Sequence, residues 1–491
     1  MKAMQYLMLC LVLIAIASGS ATAQVSEGSE VQITTNASQQ NDPAIYNDTI
    51  VWTDGRNVNI TEDVENMSLQ DIFNANIDIY MYNLSTGEEM QISEKGSAQM
   101  APAIYGDIVV WEDYSNASLP ADEMDVDNVT LDNWLQFDVN IQMYNKSSGE
   151  IQLIVDNHSL QGEPAIYDEL VVWHDLRNGN FDIYAYNLSS GEEIQITGNE
   201  SDQMYPAVYG NRIVWEDSRN GNSDIYMYNL SSGEGMQITN NTSDQLSPAI
   251  YGDVIVWEDH TNVNLSDIDN MTLENFTQLD INIHMYNLST GEETRITSNA
   301  SAQINPAIHG DRIVWEDLRN GTGDIRMYNL STGEEKLITE DSFWQEAPDI
   351  YEDRIVWTDY RNGNQDIYVF DLSSAESGPI IPPVAVRDDD FDDKDDDLDD
   401  RDDDFDDRND DLDDRDDDFD DRDDDLDDRD DDFDDRNDDL DDRDDDFDDR
   451  DDDLDDRDDD FDDRNDDLDD RDDDNDDRDD NNDELDDDND D

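Results

Sequence analysis

One unit with a basic period of 42 residues recurs seven times in this chain, and that recurrence constrains the fold more than any other feature. Its cleanest copy reads Pro206-Ala-Val-Tyr-Gly-Asn-Arg-Ile-Val-Trp215-Glu-Asp-Ser-Arg-Asn-Gly-Asn-Ser-Asp224-Ile-Tyr-Met-Tyr-Asn-Leu-Ser-Ser-Gly-Glu-Gly-Met-Gln-Ile-Thr239. The opening proline returns at Pro43, Pro102, Pro164, Pro206, Pro248, Pro306 and Pro348, at spacings of 59, 62, 42, 42, 58 and 42 residues. A period near 42 matches one four-stranded propeller blade. Each copy divides into four short runs rich in Ile, Val, Tyr and Trp, punctuated by Gly-Asp, Asn-Gly and Ser/Thr-Gly-Glu turns. One such sheet covers neither of its own faces, whereas radial stacking buries both. The expected fold is all-β: a seven-bladed β-propeller of four-stranded blades.

The two ends of the repeat array support a closed ring. The last copy stops at Asp371-Leu372-Ser373 without a fourth strand, and a spare one, Val31-Gln-Ile-Thr34, precedes Pro43. Pairing the two removes the free edges that invite aggregation.

The unit resembles the TolB-like and WD40-like propeller repeats, and in particular those of surface proteins of methanogenic archaea of the Methanosarcina type. The resemblance rests on the segment Pro306 to Glu335, which carries Ile-Val-Trp-Glu-Asp, Arg-Asn-Gly and Met-Tyr-Asn-Leu-Ser-Thr-Gly-Glu-Glu. It covers about residues 31–374 and implies a surface location and no catalytic activity.

Each copy places an aspartate two residues after its tryptophan, from Trp52 and Asp54 to Trp357 and Asp359. Residues repeated in every blade serve the blade: Trp packs between sheets, and Asp accepts turn N–H groups or pairs with the following Arg. Catalysis needs a unique constellation instead. The Asp-x-Arg-Asn-Gly-Asn-x-Asp turns are similar to calcium loops, but Arg stands where an oxygen ligand is wanted. The five histidines lack metal-ligand spacing.

The extra residues, 17, 20 and 16 of them, fall between the second and third strands of blades 1, 2 and 5. Strand alternation puts all three inserts on one face. They are read either as loops packing onto their own blades or as a partner-binding rim, with Phe73, Trp134 and Phe276 as candidate anchors. Asn-x-Ser/Thr sequons at Asn36, Asn83, Asn116, Asn187, Asn229, Asn264, Asn287 and Asn329 are candidate glycosylation sites in an exported chain.

Export itself is read from the first residues. Lys2, an apolar run from Tyr6 to Ala17 and Ala21-Thr22-Ala23 have the layout of a secretory signal peptide cleaved before Gln24. The run is too short to span a bilayer, so no transmembrane span is expected after cleavage. Cys10, the only cysteine, is lost with it.

The formal net charge of −106 excludes nucleic-acid binding. From Arg387 the chain carries 71 acidic and 14 basic residues in a seven-residue period of Arg-Asp-Asp-Asp-Phe/Leu-Asp-Asp. One apolar residue per period cannot make a coiled-coil seam, and Asp is a poor helix former. The expected organisation is a signal peptide at 1–23, the propeller at 24–375, a Pro-rich linker at 376–386 and a disordered Asp-rich tail at 387–491. No cofactor is expected beyond Ca²⁺ or Mg²⁺ held weakly by the tail, with no single aspartate assigned as a ligand.

Together these readings point to a non-enzymatic, secreted or cell-surface binding or adhesion protein. Its propeller would be a platform for an envelope protein or glycan. Two other classes stay open: a cation-binding envelope or matrix component acting through the tail, and a propeller hydrolase or lyase acting on envelope polysaccharide.

Overall fold

A computed structural model describes residues 28–58, 73–94, 96–117, 137–261, 263, 273–339 and 341–373, with 273–274 described by backbone alone. Twenty-eight strands form seven four-stranded antiparallel sheets, and the chain is a seven-bladed β-propeller. Blade 4 is typical, with strands Gln203–Tyr209, Arg212–Asp217, Asp224–Asn229 and Glu234–Gln237 in spatial order. The first strands of successive blades touch one another in a closed ring around the central channel. The only helix among the described elements is a single turn, Leu273–Phe276, at the end of the blade 5 insert.

Burial follows from this radial order. The second strands are buried almost throughout, because each is flanked within its sheet and covered on both faces by neighbouring blades. The fourth strands lie at the rim and are exposed. Each tryptophan packs against the preceding blade: Trp215 against Val172, Ile183 and Ala185, and Trp315 against Val256 and Ile283. Trp52 completes the circuit against Val356, Ile367 and Val369 of blade 7.

The first hairpin turn needs a left-handed residue. Gly210 supplies it at φ 58°, and Asn47 and Asp168 adopt it at 56° and 55°. The first strand is longer than the repeat suggests, starting three residues before the proline, at Gln40 in blade 1 and Gln203 in blade 4. A β-bulge lies between Met204 and Ala207 in blade 4, and between the equivalent residues of every other blade. Proline cannot donate to the ladder, so it sits inside the bulge. The residue before it is left-handed in all seven blades, from Asp42 at φ 51° to Ala347 at 49°.

The N-terminal strand closes the ring. Ser29–Gln32 pairs antiparallel with Asp366–Asp371, placing Val31 opposite Val369. Ile33 N–H donates to Ile367 O at 2.7 Å, and Thr34 Oγ1 accepts from Ile367 N–H at 2.8 Å. The same two bonds recur in blade 4, where Ile238 N–H donates to Ile225 O and Ile225 N–H to Thr239 Oγ1, both at 2.8 Å. The borrowed strand therefore reproduces the native blade edge bond for bond.

Candidate functional site

The seven Trp-x-Asp aspartates end each second strand at the turn into the third. In blades 1, 3, 4, 6 and 7 the carboxylate accepts the indole N–H of its own tryptophan, at 2.8–3.3 Å. It also accepts the backbone N–H and guanidinium of the arginine two residues on, as Asp317 does from Arg319. Blades 2 and 5 have Ser115 and Thr261 in place of that arginine, and there the indole N–H of Trp111 and Trp257 finds no acceptor. In the same turns the asparagine after the arginine donates to the aspartate opening the third strand, Asn220 to Asp224 at 2.7 Å and Asn362 to Asp366 at 2.8 Å. In blades 4 and 7 guanidinium and amide donors thus hold both turn carboxylates. Burial pushes the Asp175 carboxyl up, but the Arg177 and Gln161 hydrogen bonds outweigh it and hold the group below its ordinary value.

The residue between Trp and Asp faces the next blade. Glu112, Glu216 and Glu258 each accept the N–H of the left-handed bulge residue beyond, Glu163 at 2.6 Å, Ser247 at 2.7 Å and Asn305 at 2.7 Å. A bulge turns that N–H out of the ladder, and the neighbouring carboxylate captures it. His174 holds the same position toward Tyr205 N–H at 3.4 Å. Burial pushes the Glu216 carboxyl up to about 8 and Glu316 well above the ordinary range, and lowers His174 to about 4. Glu112 and Glu163 are both raised, by burial first and then by repulsion from neighbouring carboxylates. Glu112, Glu216 and Glu258 are buried at the seams between blades, beside the beginnings of the first strands. At the other end Tyr46, Tyr105, Tyr167, Tyr209, Tyr251, His309 and Tyr351 close an aromatic ring, with centroids 4.6–4.7 Å apart.

The connections between blades and the turns carrying the inserts meet at one face, as Gly55 N–H to Gln39 O and Ser218 N–H to Asp202 O show. The candidate anchor Phe73 is buried at that face. It is 5% exposed and packs on Tyr114 and Phe137, at ring distances of 5.2 and 5.3 Å. That cluster ties the root of the blade 1 insert to blade 2 and reaches Leu176 and Phe181 of blade 3. Phe276 is half-buried beside Ile281 and Leu318. Trp134 lies outside the described residues, as do Asn264, the signal peptide, the linker and the Asp-rich tail.

The sequons have local duties. Asn83, Asn187, Asn229, Asn287 and Asn329 turn their Oδ1 onto the N–H groups of the next turn residues, for example Ser85 and Thr86 at 3.0 and 2.9 Å. Asn36 does the same for Ser38, and Asn116 is exposed.

Two features were missed in the sequence. The recurring glutamine at the start of each first strand is buried, and its repetition three residues before every proline was the available signal. His158 meets Asp138 at 2.9 Å and Asp156 at 3.5 Å on the surface, the one grouping of three ligand-type side chains among the described residues. Asp138 lies just before the third strand of blade 2, 18 and 20 residues ahead of its partners, so spacing held no sign of it.

No protein-family model matches this chain, and no curated protein matches it either. Solved structures do. Oligogalacturonate lyase in complex with manganese is similar over 71% of this chain and 98% of its own, at 10% identity and a TM-score of 0.46. The β-propeller domain of the Trilobed protease from Pyrococcus furiosus is similar over 74% and 100%, at 10% identity and a TM-score of 0.46. TolB from Acinetobacter baumannii is similar over 62% and 77%, at 13% identity and a TM-score of 0.36. Likeness of this order carries no argument about activity.

Proposed function

We propose that this protein is a non-enzymatic binding or adhesion protein of the cell surface, with the insert-bearing face of the propeller as its platform for an envelope protein or glycan. One observation carries the reading: the polar groups repeated around the ring are engaged in structural hydrogen bonds, within turns or between blades. The Trp-x-Asp carboxylates are bonded inside their own turns, and Glu112, Glu216 and Glu258 hold backbone N–H groups of the next blade. What differs between blades is the set of inserts on one face, and loops on a rigid scaffold are where recognition is placed. Export, glycosylation at the exposed Asn116 and a source among methanogenic archaea rest on the leader, the sequons and the repeat resemblance. Weak Ca²⁺ or Mg²⁺ binding rests on tail composition.

A hydrolase or lyase reading has one observation in its favour. Glu216, raised to about 8, lies in the range of a general acid. It would require turnover of an envelope polysaccharide that is lost in Glu216→Gln.

The test is retention on isolated cell envelopes of residues 24–380 and of residues 24–491, each with and without EDTA. Retention of the shorter chain regardless of EDTA supports the platform. Retention of the full chain alone, released by EDTA, replaces the platform with a cation bridge made by the tail.

A further inference from the structure

Five blades carry the arginine after Trp-x-Asp, and in four of them it bridges two carboxylates. Arg56 Nη1 meets Glu89 at 2.5 Å, Arg177 Nη1 meets Glu193 at 2.7 Å and Arg361 Nη1 meets Glu30 at 2.6 Å; Arg319 meets Glu335 at 3.0 Å. Each of these glutamates is the second residue of the outermost strand. Blade 4 has Gly235 at that place. Its Arg219 is bonded to Asp217 alone, through Nε, Nη2 and the backbone N–H. The guanidinium is correspondingly more open, 37% exposed against 19–24% in the sister blades.

Asn157 and Asn299, from the preceding blades, also turn an amide oxygen to the arginine in blades 3 and 6, at 2.7 Å to Nη2. The equivalent Asn199 is used elsewhere, accepting from Ser201 N–H and Gln203 Nε2. The result is a cavity of about 460 Å³ between blades 3 and 4, walled by Trp215, Arg219, Tyr226, Tyr228, Gly235 and Asn199. Gly235 is not there for its backbone freedom. Its φ is not positive, and a Cβ would meet Met227 O at 3.8 Å and Tyr228 Cδ2 at 3.9 Å, which is ordinary contact.

We propose that this cavity binds a uronate, an acidic sugar whose carboxylate takes the place that glutamate holds in the four sister blades. The sister blades show that an aspartate, an arginine and a second carboxylate fit together here with a net charge of −1. A guanidinium with one free edge is the strongest single donor for such a group. The cavity is far larger than one glutamate side chain. Its walls combine aromatic faces with the Nδ2 group of Asn199 and the Oε1 atom of Gln237, which suits a hydroxylated ring, while the Thr197 hydroxyl is taken up by Ile183 N–H and Asp182. A peptide glutamate would fill the carboxylate position and leave those walls bare. At 0.15 M salt the Debye length is about 8 Å, so exposed acidic groups farther than that from the ligand are largely screened. Blades 3 and 4 carry no insert, so this site stands or falls apart from the insert-bearing platform.

Ligand-observed NMR titration of the full chain with glucuronate at 0.15 M salt tests the proposal. Glucuronate is expected to bind saturably, with glucose at least about tenfold weaker because it leaves the guanidinium edge unpaired. Gly235→Glu should lower glucuronate affinity at least tenfold without lowering the unfolding midpoint, and Gly235→Ala, which leaves the cavity nearly intact, should retain it. No binding of glucuronate, equal binding of glucose, or unchanged affinity in Gly235→Glu overturns the site. Tighter competition by N-acetylglutamate α-amide than by glucuronate overturns the sugar in favour of an acidic peptide.

Discussion

Replacing Ile33 by Ala tests whether the borrowed N-terminal strand holds the ring shut. Ile33 is fully buried and packs with Ile45, Ile50 and Trp52 of blade 1 and with Val356, Ile367 and Val369 of blade 7. It therefore lies at the one seam where the two ends of the array meet. Truncating a buried isoleucine to alanine costs about 2–5 kcal/mol, through lost transfer free energy and the cavity left behind. Unfolding entropy near 2.1 cal/mol/K per residue, over roughly 340 residues from Ser29 to Asp371, converts that into a fall in midpoint of about 3–7 °C. Differential scanning calorimetry reads it directly. A second arm checks the register. Cysteines at Val31 and Val369, which face each other across the pair, should form a disulfide, tested with the chain's one native cysteine, Cys10, replaced by Ser. A midpoint shift below 1 °C for Ile33→Ala, together with a pair of cysteines that stays reduced, would refute the closure.

Three further outcomes are expected. Glu216 keeps its proton up to about pH 8 in the folded chain but loses it near 4.5 when unfolded, so stability falls as pH rises between those values. The slope from this group is at most about 1.4 kcal/mol per pH unit, and denaturant titrations from pH 5 to 8 should show a shallower decline in Glu216→Gln. Asp175→Ala should cost about 3–5 kcal/mol, because it leaves the buried Trp173 N–H, Ser159 hydroxyl and Gln161 amide without their acceptor and Arg177 with the Glu193 carboxylate alone; a loss under 1 kcal/mol in urea melts contradicts the turn assignment. Phe73→Ala should cost about 3–5 kcal/mol and leave envelope retention of the surviving folded chain unchanged, whereas lost retention at full stability would restore Phe73 as an anchor.

The sequence by itself determined what repeats. Blade number followed from seven prolines at a 42-residue period. Closure followed from a missing last strand and a spare first one, and the role of the Trp-x-Asp aspartate from its recurrence. All of these are local or periodic, and local chemistry is written along the chain. Three things were decided only when the blades were brought together. Phe73, a candidate anchor from the sequence, is buried against Tyr114 and Phe137 of the next blade. The buried glutamates bond the next blade across its seam, as Glu112 does by accepting the Glu163 N–H. Gly235 is one position in an exposed strand. Its meaning depends on Arg219 lying beside it across the sheet, where sister blades place a glutamate. A repeat specifies one blade's interior seven times over, but contacts between blades and the exceptions to the repeat acquire a role only in three dimensions. The physical reason is that a blade's faces are completed by its neighbours, whose side chains come from distant parts of the sequence.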